Sequence, residues 1–321
     1  MTTTKADRTV SLAEYGPGSP KSPSLGAARE WCQRLARRHG ENFAVLSSLV
    51  PEASRDAFAA IYGFCRCADD LGDEAGSCDR SRELLAWWRH ELGRCFEGEA
   101  SHPVFVALRP EIDRCQLAMA PFADLISAFD MDQTKARYST WEEVLDYCAL
   151  SANPVGRLVL GVLEGGGSPE ANAASDAICT ALQLTNHWQD VRRDLVERDR
   201  IYLPAECCVG EAFVDRLAST CRAGHAPDRE FLQSYRRTIR DLVERTWPLY
   251  ERGQVLLDLM RPEHRGVIWL FLQGGMRTLR EIERWNLETC LVRPRLSGFA
   301  RVLLLARARW SLGTTRGAGG G

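Results

Sequence analysis

The chain has 321 residues, of which 45% are hydrophobic and 26% charged, with a formal net charge of −2. This length allows one large domain or two ordinary ones, and the near-neutral balance excludes a strongly basic nucleic-acid binder. No apolar run of about 18 residues occurs, so no transmembrane helix is expected, and the polar opening MTTTKADRTV predicts no secretory signal.

Residues 1–24 are rich in Ser, Thr, Pro and Gly and predict a disordered arm; 313–321 predict a disordered tail. Between them helical periodicity without strand alternation predicts a single all-α domain over 25–312. A first informative helix is expected to open with Pro51 as its first residue and to stop near Gly76. It carries Tyr62-Gly-Phe-Cys-Arg-Cys-Ala-Asp69-Asp70-Leu-Gly-Asp73-Glu74, four carboxylates within six positions. Spacing of i, i+4 puts Asp69 and Asp73 on one face, with Arg66 one turn earlier.

A second helix is predicted from Thr140, capped reciprocally by Glu143, running past Val159 with a kink at Pro154. Gly165 to Pro169 break the chain. The following helix bears Ile178, Leu182, Thr185 and Trp188 on one stripe and Asn186, Asp190 and Asp194 on another, with Gln183 close to its line. Arg193, Arg200 and Tyr202 follow. Long helices are also predicted over Phe231–Leu249 and over 264–290, the latter interrupted at Gly274-Gly275.

Like charges one helical turn apart destabilise a helix unless solvent screens them or cations neutralise them. A solvated acidic face accounts for one such stripe. Two stripes together suit hard divalent cations, Mg²⁺ first, that keep water and phosphate oxygens among their ligands. Arg66, Arg193 and Arg200 would then hold the remaining phosphate oxygens. The twelve cysteines have no zinc-like spacing; Cys65-x-Cys67 and Cys207-Cys208 are the only close pairs. They predict reduced, packed thiols in a cytoplasmic protein, with peripheral membrane contact left open. Basic residues are almost all arginine, lysine occurring only at Lys5, Lys21 and Lys135.

With these motifs in view, the chain resembles the squalene/phytoene synthase family over about residues 28–305. The likeness rests on Tyr62 to Glu74, on Tyr147-Cys-Ala-Leu-Ser-Ala-Asn-Pro-Val-Gly156, and on Asn186-x-x-Gln189-Asp190-x-x-x-Asp194 followed by Arg200-x-Tyr202-Leu-Pro204. The resemblance implies an all-α isoprenoid-synthase helical bundle around a central cavity. It implies Asp69, Asp73, Asn186, Asp190 and Asp194 as metal ligands, and Phe43, Arg66, Gln183, Asn186, Arg200 and Tyr202 as substrate contacts. Tyr147 joins the four aspartates as a catalytic residue.

His39-Gly-Glu-Asn42-Phe43 and Ser151-Ala-Asn-Pro-Val-Gly-Arg157 are most similar to the hydroxysqualene synthase branch. That branch implies conversion of presqualene diphosphate to hydroxysqualene by ionisation, rearrangement and water capture. Head-to-head condensation, as in presqualene diphosphate, squalene or phytoene synthases, stays open, as does a non-catalytic helical relative in assembly or lipid binding. No dinucleotide motif is present, which leans towards water over hydride from NADPH without deciding it. The implied partners are a prenyl diphosphate (presqualene or farnesyl) and other enzymes of the same pathway, with no nucleic acid. Phe43, Phe64, Tyr147 and Trp188 are candidates to face a carbocation. Carbonyls freed at Pro154, near Leu150 and Ser151, are candidates to orient water. His39 is expected to pack, with service as an acid or base the alternative, and His187 to pack or shape the substrate without ligating metal.

Overall fold

The computed structural model describes residues 4–39, 49–226 and 228–297, with 304, 307 and 308. Phe43, the side chain of His39 and the segment 313–321 lie outside the described residues. Fifteen helices are described: α1 Lys5–Thr9, α2 Leu12–Tyr15, α3 Leu25–His39, α4 Arg55–Asp73, α5 Cys78–Glu97, α6 Pro103–Cys115, α7 Met119–Met131, α8 Trp141–Ser151, α9 Asn153–Glu164, α10 Pro169–Gln189, α11 Val191–Arg198, α12 Phe213–Ala223, α13 Arg229–Gly253, α14 Leu256–Leu259 and α15 Arg265–Arg284. Among the described residues, β structure is confined to one isolated bridge, between Arg137 and Ile201. Contacts divide the chain into two compact units where the sequence predicts one domain. The first comprises residues through Thr134 with Pro154–Asn172; the second comprises Lys135–Asn153 with the residues from Ala173 onward.

In the first unit α4 is the central helix, packed by α3, α5, α6 and α7. Phe64 lies at its middle, wholly buried, with ring centroids of Phe122 at 5.0 Å, Trp88 at 5.9 Å and Phe105 at 6.0 Å. Each such ring contributes about 1.5–3 kcal/mol through burial. Phe64 is therefore core in this unit, the usual fate of an aromatic at helical spacing, and not a cation-facing wall. The helix also starts later than predicted. Pro51 caps a short 3-10 turn, Glu52–Ser54, and α4 begins at Arg55.

The N-terminal segment departs from its predicted disorder. Thr4 and Asp7 form a capping box for α1, with N···O distances of 2.7 and 3.1 Å, and Ala6 and Val10 are fully buried. Val10 is held by His102: its carbonyl meets His102 Nε2 at 2.9 Å, while His102 Nδ1 accepts from the Val104 amide at 3.2 Å. The His102 ring sits edge-on among Tyr15, Trp31, Trp87 and Trp88. Composition averages over a four-residue capping pattern and carries no trace of a contact with His102, 92 residues away, so it misses both.

The second unit is built on α10 and α13. Trp188 Nε1 donates to Thr246 Oγ1 at 3.0 Å, and Thr185 Oγ1 meets Tyr250 Oη at 2.9 Å. Trp188 is fully buried by this packing, and so is also core. The pair Gly274-Gly275 does not interrupt α15. A Cβ on Gly275 would come within 2.2 Å of Tyr250 Oη, so the residue allows helix approach instead of breaking the helix.

Candidate active site

On α4, one helical turn carries both a candidate ligand and its anchor. Asp69 is 37% exposed and lies 3.2 Å from Arg66 Nη1. Asp70 points the other way and is fully buried, held by Arg66 Nε at 3.2 Å and by Lys5 Nζ at 3.3 Å. Arg66 thus joins adjacent aspartates of opposite exposure. The Coulombic pull of both carboxylates raises its pKa against the opposing effect of burial, the largest influence. Asp73, one turn beyond Asp69, ends the helix half-buried.

The second acidic stripe lies in the second unit and crosses a helix junction. α10 ends at Gln189, Asp190 caps α11, and Asp194 lies in the first turn of α11. The amides of Asp190 and Asp194 still donate to the carbonyls four residues earlier, both at 2.9 Å, so the predicted i, i+4, i+8 register survives the junction. Asn186 is exposed, whereas Asp190 and Asp194 are 4% and 7% exposed. Asp190 is gripped by Arg293 through Nε and Nη2 together and by Arg193 Nη2 at 2.9 Å. Asp194 receives Arg193 at 3.0 and 3.2 Å. Burial raises the Asp194 pKa, Arg193 opposing it and the Asp190 charge adding to it.

Arg293 is the site residue that sequence reasoning missed. It follows α15 in an irregular segment with no periodicity to mark it. The next residue, Pro294, accepts through its carbonyl from Gln189 Nε2, so two consecutive residues strap the α10–α11 junction.

Two irregular segments of this unit bring the remaining candidates together. Ile201 donates to the Ala136 carbonyl at 2.9 Å and Ala205 to that of Tyr138 at 2.9 Å, placing 136–139 beside 201–206. Tyr202 thereby stacks on Tyr138 (5.5 Å) and packs on Tyr147 (5.3 Å). His187 stacks on Tyr202 at 3.9 Å, and burial pushes its imidazole down to about 3, hence neutral. Arg200 is buried and Gln183 half-buried. Cys65 and Cys208 are pushed up to about 12 by burial, and all twelve cysteines are unpaired by disulfides.

The predicted kinked helix is two helices, α8 and α9, parting at Ala152. Pro154 is the second residue of α9, where a missing amide is tolerated. Thr140 caps α8, its hydroxyl accepting from the Glu143 amide at 3.2 Å, while the Glu143 carboxylate accepts from the Ser139 amide at 2.9 Å and not from Thr140 as expected.

Among the described residues, no three His, Cys, Asp or Glu side chains converge to cage an ion. The acids occur as oxygen-donor pairs one turn apart, which suits a hard cation taking one or two carboxylates and completing its shell with water and phosphate oxygens. No helix among the described residues is long and apolar enough to cross a membrane.

The fold is that of an all-α isoprenoid synthase. It is similar to squalene synthase HpnC from Alicyclobacillus acidocaldarius (TM-score 0.71, 42% identity, 82% of this chain and 95% of that one). Residues 36–301 match the squalene/phytoene synthase family, and the chain belongs to it. It is 30% identical over 268 residues to the phytoene synthase of Arthrospira platensis, spanning 79% of this chain and 84% of that protein. It is 39% identical over 171 residues to the hydroxysqualene synthase of Sinorhizobium fredii, spanning 53% of this chain and 57% of that protein. The match thus spans little more than half of the latter's length.

Proposed function

We propose that this chain converts presqualene diphosphate to hydroxysqualene and diphosphate. The observation that carries the reading is the two pairs of carboxylates one helical turn apart, Asp69 with Asp73 and Asp190 with Asp194, within the span matched by the family. Hydroxysqualene synthases stand among its relatives at 39% and 42% identity, which favours the alcohol-forming step over condensation.

In this reading Asp69, Asp73, Asn186, Asp190 and Asp194 hold Mg²⁺, which when bound supplies charge neutralisation for the departing diphosphate. Arg66 and Arg193, each already spanning two aspartates, turn donors to phosphate oxygens that remain. Arg200 and Gln183 add further donors. Tyr147 offers an aromatic ring to the carbocation, which an apolar, water-poor surround would otherwise destabilise. The product is an alcohol, so the reaction consumes water and no reductant.

The test is product identification. Purified protein receives presqualene diphosphate or farnesyl diphosphate with Mg²⁺, with and without NADPH. Hydroxysqualene from presqualene diphosphate alone is the expected result. Presqualene diphosphate from farnesyl diphosphate, or squalene only with NADPH, would reassign the step. Tight Mg²⁺-independent binding with no product would favour a non-catalytic role.

A further inference from the structure

His187 carries an unsatisfied buried atom. The side chain is 5% exposed, and Nε2 is buried without a hydrogen-bond partner. Its ring face is occupied by Tyr202 at 3.9 Å, and Tyr147 lies at 5.7 Å. Tyr138 closes the cluster, 5.7 Å from Tyr147 and 5.5 Å from Tyr202. Stacking satisfies faces; it does nothing for a ring nitrogen, whose hydrogen bond must lie in the ring plane. Leaving such an atom unpaired forfeits its hydration with nothing in return, so buried polar groups take a protein or water partner. Phenylalanine would fill the same space without that cost. His187 also precedes Asp190 by three residues, which places it about one helical turn from a carboxylate of the acidic stripe.

We propose that His187 is a positioning residue that determines the product. Its Nε2 accepts a hydrogen bond from a water held against the Tyr138–Tyr147–Tyr202 cluster and aims that water at the rearranged carbocation. The inference rests on the alcohol-forming reading above. In the step, a lone pair of the water oxygen forms the C–O bond. The surplus proton leaves to the diphosphate released in the same turnover. Without the oriented water, the cation instead loses a proton from a neighbouring carbon; that C–H pair becomes a double bond and the product is a hydrocarbon.

The full-length variants H187F and H187Q are given presqualene diphosphate with Mg²⁺, and alcohol and hydrocarbon products are quantified. In H187F, substrate consumption should stay within threefold of the parent while the alcohol share falls at least tenfold. H187Q, which keeps an acceptor, should recover a third or more of that share. An unchanged alcohol share in a folded H187F overturns the proposal, as does loss of the share in both variants to the same extent. A high-resolution crystal structure of the unaltered protein supplies a second readout that needs neither variant. Water at hydrogen-bond distance from Nε2 supports the assignment, and a dry Nε2 overturns it. If the unaltered protein makes no alcohol, the functional reading fails and the product role with it, while the water site is still decided by the crystal structure.

Discussion

Arg293 grips Asp190 with two prongs, Nε and Nη2 each meeting one carboxylate oxygen. The guanidinium arrives from a segment 103 residues away and raises its own pKa by doing so, chiefly through the hydrogen bonds to Asp190. Asp190 is nearly buried, so Arg293 offsets a charge that solvent barely reaches. Breaking a buried pair costs about 3–5 kcal/mol. Arg193 remains as a second partner, so R293M should lose roughly 1–3 kcal/mol in a urea titration. Millimolar Mg²⁺ should narrow that gap, because a cation at Asp190 replaces the lost charge. If R293M gains no more from Mg²⁺ than the parent does, Asp190 is not taking the ion.

Neighbouring aspartates on α4 should separate function from stability. D69N removes an exposed donor, and turnover should fall by about 10²-fold or more with the melting temperature unchanged. D70N leaves Arg66 and Lys5 facing a neutral amide in a buried position. It should cost about 3 kcal/mol of stability while the folded fraction keeps its turnover. A stable but inactive D70N would place Asp70 in the chemistry instead.

The His102 imidazole is held at about 4, below its ordinary 6.5, because burial disfavours the charged ring. The unfolded chain binds this proton more readily than the folded one. Stability from His102 is therefore complete above pH 6.5 and is lost as pH falls from 6.5 towards 4. The loss amounts to about 3 kcal/mol. Urea midpoints measured across this window should fall on acidification, and H102N should show a shallower slope. Equal slopes would assign the acid sensitivity elsewhere.

Gly275 should not tolerate a methyl group. G275A drives Cβ against Tyr250 Oη and Leu182, and overpacking of this kind costs about 1–3 kcal/mol. Y250F removes the nearest atom, so G275A should be less harmful in that background by about 1 kcal/mol in a double-mutant cycle. Strict additivity would mean that α13 and α15 part instead of clashing.

What sequence reveals here follows the range of the interactions involved. The shared face of Asp69 and Asp73 is legible because helical spacing alone sets it, and the Asn186–Asp190–Asp194 register persists for the same reason. The opposite fates of Asp69 and Asp70 are not legible, since Lys5 must arrive from 65 residues upstream to bury the second. Arg293 resembles every other arginine until Asp190 is beside it. Phe64 and Trp188 sit at helical positions equally suited to a cavity wall or a core. Only their neighbours, Trp88, Phe105 and Phe122 for one and Thr246 for the other, assign them to the core. The N-terminal helices escape notice because each is at most five residues long, too short for periodicity to register.

Those short helices put the amino terminus in mechanical series with the acid-bearing turn. Lys5 reaches Asp70 and Glu74, Arg80 reaches Asp7, and Val10 is fastened to His102. A fusion tag or proteolytic trimming there would pull on the same turn that presents Asp69. Preparations that differ only ahead of residue 16 should therefore differ in how firmly that turn is held, and their stabilities should not be pooled.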